Sequence, residues 1–319
     1  LKLGDPGLIV DYIRTSNLRY VLLGFLFFAL GYLARGERLL QFKALQGVKQ
    51  SDLLPIVALY RFFNLLLPAR TGDVILVVLL KKYSEIYVGS SLGILILTRI
   101  YDLSALALSF SIGMIWIGLQ GRSSGTTRLF IFSLILGILT LVLGLIIRRI
   151  WRVLQILLKR ILQKFHWNKK AWARAILDAA KEVDVVLQSS RSKTFLVRLF
   201  LASFVIWGSL FATYWSLLRS MEFSQYNFPQ TVVGSTAASL SNALPVNSFG
   251  SLGTLEIGWT AGFSFIGMTL EESVASGFAI HFWLILFTSI WAIISYQYLS
   301  VRSRNSEPAE KPESPTKRK

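Results

Sequence analysis

Long apolar runs, separated by short polar or basic segments, recur along the whole chain. A helix needs about 20 predominantly apolar residues to cross a bilayer. Five runs reach or approach that length, and they cover residues 18–34, 88–119, 129–147, 196–218 and 275–299. The pattern therefore predicts an all-α, polytopic membrane protein.

Two further apolar stretches, residues 53–80 and 228–268, are interrupted in the middle. The interruptions contain the helix-ending residues Pro68 and Gly72 in the first stretch and Pro245, Gly250 and Gly253 in the second. The arms of the first are too short to cross about 30 Å at about 1.5 Å per residue, which predicts a re-entrant helical hairpin. Broken backbone at membrane depth is tolerated only inside protein or beside a water-filled cavity, where we expect the functional site.

Polar side chains in these regions form the candidate site. A polar stripe at helical spacing precedes the second break and consists of Thr231, Ser235, Ser239 and Asn242. Glu256 lies in the first turn after that break, where the helix dipole favours a carboxylate or a bound anion. Arg99 and Asp102 share a helix face and are predicted to pair. A packed glycine-rich turn and a purely structural ion pair are the alternative interpretations.

Lysines and arginines cluster at the ends of the apolar runs. Thirteen of them lie between residues 148 and 198, against three acidic residues, and more lie in the tail. The positive-inside rule predicts that both basic regions are cytoplasmic. The two basic regions lie on the same side of the membrane only if residues 228–268 make no net crossing. The charges therefore support a second re-entrant hairpin, opposed to the first.

The same features divide the chain into four predicted segments. These are a first membrane repeat with its hairpin (1–147, hairpin 53–80), a basic linker (148–193), a second membrane repeat with its hairpin (194–300, hairpin 228–268) and a disordered charged tail (301–319). Within the linker, residues 150–165 and 169–187 alternate apolar and basic residues at helical spacing. Such helices lie in the headgroup layer or serve as solvated connectors.

Composition excludes several classes of protein. The chain has no cysteine and two distant histidines, so we expect no metal centre and no cofactor. The net charge of +17 does not indicate nucleic acid, because the cations follow membrane topology. Membrane phospholipids are the expected partners, alongside a separately encoded lipid-modifying enzyme or a second copy of the chain.

The two interrupted stretches resemble each other. Asn64 precedes Pro68 and Gly72 in the first, and Asn242 precedes Pro245 and Gly250 in the second. With the charge distribution above, the two halves are predicted to be inverted repeats. Transporters are commonly built in this way, with broken helices meeting at the substrate site near the middle of the membrane.

The residues around both breaks also resemble a known family. The motifs are Leu67-Pro68-Ala69-Arg70-Thr71-Gly72-Asp73, Arg99-Ile-Tyr-Asp102, and Leu244-Pro245 followed by Gly250-Ser-Leu-Gly253 and Glu256. They are similar to the lysylphosphatidylglycerol synthase transmembrane region, a flippase-like integral membrane family. The resemblance covers almost the whole chain, and the family includes the membrane half of the bacterial multiple peptide resistance factor. It implies movement of an aminoacylated lipid between leaflets.

This sequence departs from the family pattern at three positions. Thr98 replaces a frequent Glu, Leu76 replaces a frequent Arg, and Ser251 replaces a second Gly. The segment 148–198 is too short and too basic to hold a synthase domain, so aminoacyl transfer by this chain is not expected.

The favoured hypothesis is a lipid translocase in the plasma or inner membrane, which is not an enzyme and moves an anionic or aminoacylated phospholipid between leaflets. Arg70 would bind a phosphate, because a guanidinium pairs bidentately with phosphate oxygens. The candidate substrate-binding residues are Asn64, Arg70, Asp73, Arg99, Asp102, Ser239, Asn242 and Glu256. One alternative is an integral membrane enzyme acting on lipid-linked substrates, with Asp102, Glu256 and His281 as acid or base. Another is an accessory scaffold for a lipid-modifying partner.

Overall fold

The computed structural model describes residues 6–68, 71–120, 124–243 and 248–306, and in these ranges it is built from α-helices without strands. The eleven helices are α1 Pro6–Arg14, α2 Leu18–Leu40, α3 Gln50–Leu66, α4 Gly72–Ser84, α5 Val88–Leu119, α6 Ser124–Lys164, α7 Ala171–Ser189, α8 Lys193–Ser220, α9 Phe228–Ala243, α10 Thr254–Phe265 and α11 Leu270–Ser306. The predicted all-α fold class is confirmed.

Five helices are long and apolar enough to cross a membrane within the described ranges, namely α2, α5, α6, α8 and α11. They coincide with the five apolar runs, and α5 has the bounds that the sequence pattern predicts. Many leucine, isoleucine and valine side chains on their outer faces are exposed, as lipid-facing residues are. The protein is therefore a multi-pass membrane protein.

The basic segment after the third span differs from the prediction. Residues 129–147 and 150–165 are not separate helices, because α6 continues without a break for 41 residues, about 60 Å. Arg148 and Arg149 are good helix formers and give the chain no reason to turn. The position of residues 150–165 relative to the headgroups stays a prediction.

Helix α7 is amphipathic as predicted, and part of its apolar face packs against other helices of the protein. Val183 and Val186 of α7 are buried and pack against α5. The backbone N–H of Gly89, near the beginning of α5, donates to Glu182 Oε2 at 2.8 Å. Arg148 on α6 pairs with Asp184 at 3.2 Å. Helix α7 therefore fixes the beginning of α5 to the second half of α6. At the other end of the chain, α11 continues through residues 301–306, which were predicted to be disordered.

The first interrupted stretch forms two short, packed helices, α3 and α4. A Cβ atom added at Gly72 would lie 2.5 Å from the backbone nitrogen of Asn64, so the beginning of α4 touches α3 backbone to backbone. Helix α3 ends at Leu66, just before Pro68, which cannot supply a helical N–H. The predicted helical hairpin is present, and its re-entry from one side of the membrane stays a prediction.

The second interrupted stretch forms the corresponding pair, α9 and α10, with 16 and 12 residues. Small residues bring the two backbones together, because a Cβ added at Gly258 would lie 2.7 Å from the Cα of Ala238. A Cβ on Gly262 would overlap the carbonyl group of Gly234. This spacing of small residues is typical of close helix packing in membranes.

The break between α9 and α10 uses left-handed backbone. The φ angles are +63° at Gly250, +54° at Ser251 and +83° at Gly253. Glycine adopts these angles without a Cβ penalty, whereas Ser251 carries one. The Ser251 hydroxyl donates to the carbonyl of Leu65 at 3.3 Å, so this strained residue joins the second hairpin to the end of α3. Pro245 lies outside the described residues.

Helices of the first half of the chain pack on helices of the second half. Helix α3 of the first hairpin packs on α11, and α9 of the second hairpin packs on α5, while α2 and α8 pack on each other. This is the pattern that a two-fold relation between the halves gives. Whether the repeat is inverted across the membrane stays a prediction.

Candidate functional site

A cavity lies between the two hairpins and the helices α2, α5, α8 and α11. Its volume is about 100 Å³. Its apolar wall includes Phe28, Leu39, Val57, Ile206, Leu210 and Leu284. In the described part of the chain, four arginines also line the cavity, namely Arg35, Arg38, Arg61 and Arg99.

The first ion pair of the cavity joins Arg38 to Asp102. Both guanidinium nitrogens Nη1 and Nη2 face the carboxylate, and the Arg38 Nη2 to Asp102 Oδ2 distance is 3.4 Å. Ser203 accepts a further bond from Arg38 Nη1 at 2.9 Å, and Trp207 Nε1 donates to Asp102 Oδ1 at 3.3 Å. The predicted pairing of Asp102 with Arg99 is wrong, because an arginine from α2 occupies that carboxylate.

The second ion pair joins Arg99 to Asp73, with 2.5 Å between Nη2 and Oδ1. Asn64 Nδ2 donates to the same carboxylate oxygen at 3.1 Å, and Arg99 also donates to the hydroxyl of Tyr60 at 2.6 Å. Three predicted site residues thus meet, and they connect α5 to both helices of the first hairpin. The side chains of this pair are more than a quarter exposed, at 28% and 27%.

Arg35 and Arg61 have no carboxylate partner in the described part of the chain. Arg35 donates to the carbonyl of Gly31 at 3.0 Å and lies over the ring of Tyr32. Arg61 lines the same cavity as Arg35 and Tyr214. Two like charges therefore lie in one cavity.

Sequence reasoning missed these two arginines as site residues. Arg35 and Arg38 end an apolar run and were attributed to the positive-inside rule. Arg61 was the better signal, because an arginine in the middle of an apolar helical arm is costly unless it has a partner or a function.

Glu256 lies outside the cavity lining and is almost fully buried, with 4% of its surface exposed. Its Oε2 accepts the backbone N–H of Gly253 at 2.7 Å, which caps α10. Its Oε1 lies 2.5 Å from Nδ1 of His281 on α11, and that histidine is buried too. This arrangement fits the capping role better than contact with a headgroup.

The remaining predicted site residues either line the cavity or lie outside the described residues. Ser239 lines the cavity, whereas Arg70 and the side chain of Asn242 lie outside the described residues. Thr231 and Ser235 donate to carbonyls one turn earlier in the chain, so two of the four residues of the polar stripe are satisfied by backbone. In the ranges that the structure describes, no group of acidic or histidine side chains could hold a metal ion.

Five membrane-crossing helices and two helical hairpins around an arginine-lined cavity define a polytopic α-helical membrane protein with an internal polar site. The chain belongs to the lysylphosphatidylglycerol synthase transmembrane-region family, whose sequence model matches residues 2–292. The match contains no soluble synthase domain. No curated protein and no solved structure is significantly similar to the chain.

Proposed function

We propose that the protein is a translocase that moves a phospholipid between the leaflets of the plasma or inner membrane. The observation that carries this proposal is the cavity itself, in which four arginines lie among apolar walls. A headgroup would enter this space while its acyl chains stay in the surrounding lipid. Family membership supports a lipid-related function, and the expected headgroup is anionic or aminoacylated.

The two ion pairs suggest how the cavity would hold and release a headgroup. Arg99 is the more accessible of the paired arginines, and its bonds to Asp73 and Tyr60 hold it against the first hairpin. A phosphate would compete with Asp73 for the guanidinium. Ligand binding would in this way loosen the contact between α5 and the hairpin, which is the kind of coupling that a transporter needs.

A catalytic function is less well supported. Glu256 and His281, two of the acid and base candidates, are buried outside the cavity lining, and Asp102 is held by Arg38. None of the three is free to exchange a proton with a lipid headgroup. We therefore propose transport without chemistry.

The proposal is tested with vesicles that contain the purified protein and a fluorescent phospholipid whose outer-leaflet fraction is quenched by a membrane-impermeant reductant. The double variant Arg99→Gln/Asp73→Asn removes both charges and keeps hydrogen-bonding groups of similar shape. We expect it to fold and to lose most of the flux at matched protein density.

The matched control neutralises an exposed pair on α7, with Lys181→Gln and Asp178→Asn. It should transport as the unchanged protein does. Equal flux in vesicles with and without the unchanged protein would refute the translocase, and unchanged flux in the cavity variant would remove Arg99 from its mechanism.

A further inference from the structure

We infer that Arg35 and Arg61 form a phosphate subsite that selects a lipid headgroup without a compensating cation, in preference to an aminoacylated one. The inference rests on the proposed function for the origin of the ligand, and it narrows the class of substrate. It begins from a charge imbalance. Among the described residues, four arginines line the cavity, and two carboxylates, Asp102 and Asp73, are paired with two of them.

The imbalance is costly for the empty protein. Arg35 and Arg61 are half-buried, so each charge keeps part of its hydration and loses the rest to the apolar walls. Two like charges in one cavity also repel each other. An anion that enters the cavity would supply the missing partner and remove both costs at once.

The two arginines are suited to a phosphate. The guanidinium of Arg35 donates one hydrogen bond to the carbonyl of Gly31 and lies over the ring of Tyr32. These contacts orient the guanidinium and leave its other N–H donors for a ligand. Arg61 makes no ion pair with any described residue. A guanidinium offers two parallel N–H donors to a phosphate, so two arginines from α2 and α3 can hold one phosphate group between them.

The same geometry disfavours a headgroup that carries amines. A lysyl group brings two ammonium charges into a cavity that already has an excess of positive charge. The two carboxylates that could receive ammonium groups are occupied by Arg38 and Arg99. A cationic headgroup would find a partner only by displacing an arginine from one of these pairs, whereas the phosphate of an anionic headgroup would already be paired by Arg35 and Arg61 before it competes with Asp73 for Arg99.

The test measures thermal unfolding of the purified protein in a neutral detergent, with four separate additions. These are short-chain phosphatidylglycerol, short-chain phosphatidylcholine, short-chain lysylphosphatidylglycerol and inorganic phosphate. We expect phosphatidylglycerol to raise Tm at lower concentration than the other lipids. Arg61→Gln should weaken its apparent affinity about 10-fold or more, which is the loss expected for one charge-assisted hydrogen bond.

Ligand-free stability separates a binding role from a structural one. Since Arg61→Gln removes a like-charge repulsion, its ligand-free Tm should equal or exceed that of the unchanged protein. Arg61→Lys should recover part of the affinity. The control Arg174→Gln removes an exposed arginine on α7 and should change neither quantity.

Several outcomes would overturn the inference. A clear fall in ligand-free Tm for Arg61→Gln would make the residue structural, and lysylphosphatidylglycerol binding as tightly as phosphatidylglycerol would refute the selectivity. A response to inorganic phosphate without one to phosphatidylglycerol would assign the subsite to a soluble anion. Flux without selective binding would refute this inference alone, whereas selective binding without flux would refute the translocase alone.

Discussion

At the scale of single residues, we expect the two ion pairs of the cavity to contribute differently to stability, because their side chains differ in burial. The side chains of Arg38 and Asp102 are 8% and 13% exposed and join three helices, whereas those of Arg99 and Asp73 are more than twice as exposed. A charge left alone in the first pair is cut off from water. A charge left alone in the second can be hydrated from the cavity.

Arg38→Ala should therefore destabilise the protein strongly, by about 3–5 kcal/mol, because Asp102 is left unpaired inside the bundle. Thermal unfolding in detergent measures this. Arg99→Ala should cost clearly less, and the double variant Arg38→Ala/Asp102→Ala should recover part of the loss. If Arg38→Ala and Arg99→Ala destabilise equally, burial does not set the difference between the pairs.

Residue roles could be predicted from the sequence only where the partners are close in the chain. The capping position of Glu256 follows from its distance of three residues from Gly253, and the structure has that bond. The partner of Asp102 does not follow from spacing, because Arg38 lies 64 residues away and reaches it only once α2 packs beside α5. Arg99 was the predicted partner of Asp102 because the two are close in sequence. In the structure, tertiary packing brings Arg38 to this carboxylate instead.

At the scale of elements, the second hairpin depends on glycines that bring its two helices into backbone contact. Gly234 and Gly262 face each other where α9 crosses α10, and Phe263 covers Gly234 from the side. The space between the helices has no room for a methyl group. Stability at this point depends on volume, since an added methyl group on Gly262 would overlap the backbone carbonyl of Gly234.

Gly262→Ala should destabilise the protein by about 1–3 kcal/mol, the usual cost of forcing an extra group into a packed interior. Gly208→Ala on α8 is the matched control, because a Cβ there meets nothing within 4 Å. That change should be neutral or stabilising by about 0.5–1 kcal/mol, since alanine favours helix. Equal behaviour of the two variants in thermal unfolding would contradict close packing of α9 on α10.

Element boundaries followed from the sequence where a proline, a glycine or a capping residue marks them. The two interrupted stretches are examples, whereas the bounds of α5 followed from the length of its apolar run. The course of α6 did not follow, because a change from apolar to basic residues alters the solvent that a helix prefers without ending the helix. The packing of α7 against α5 could not be predicted from the sequence either, since an amphipathic pattern does not say whether lipid or protein covers the apolar face.

At the scale of the whole molecule, the five spans and two hairpins predict which ends share a side. If neither hairpin crosses, the α7–α8 connection and the end of α11 lie on one side. The α5–α6 and α8–α9 connections then lie on the other. Because α6 and α7 carry many basic residues, the positive-inside rule predicts that the first side is cytoplasmic.

Single cysteines in this cysteine-free chain can test the topology. Arg191→Cys, Gln120→Cys and Ser224→Cys each replace an exposed residue in a connection or at its edge. A membrane-impermeant thiol reagent added to intact cells should label positions 120 and 224, and position 191 only after the membrane is opened. Labelling of positions 191 and 224 from the same side would rule out two non-crossing hairpins.

The excess positive charge of the cavity also has a consequence for voltage. A charge that moves through the full membrane potential changes its energy by about 2.3 kcal/mol per 100 mV. If the empty cavity carries two uncompensated charges and an occupied one carries fewer, the return of the empty protein is the more voltage-sensitive step. An electric field across the vesicle membrane would then change the rate of turnover, while equilibrium binding measured without a field would stay the same.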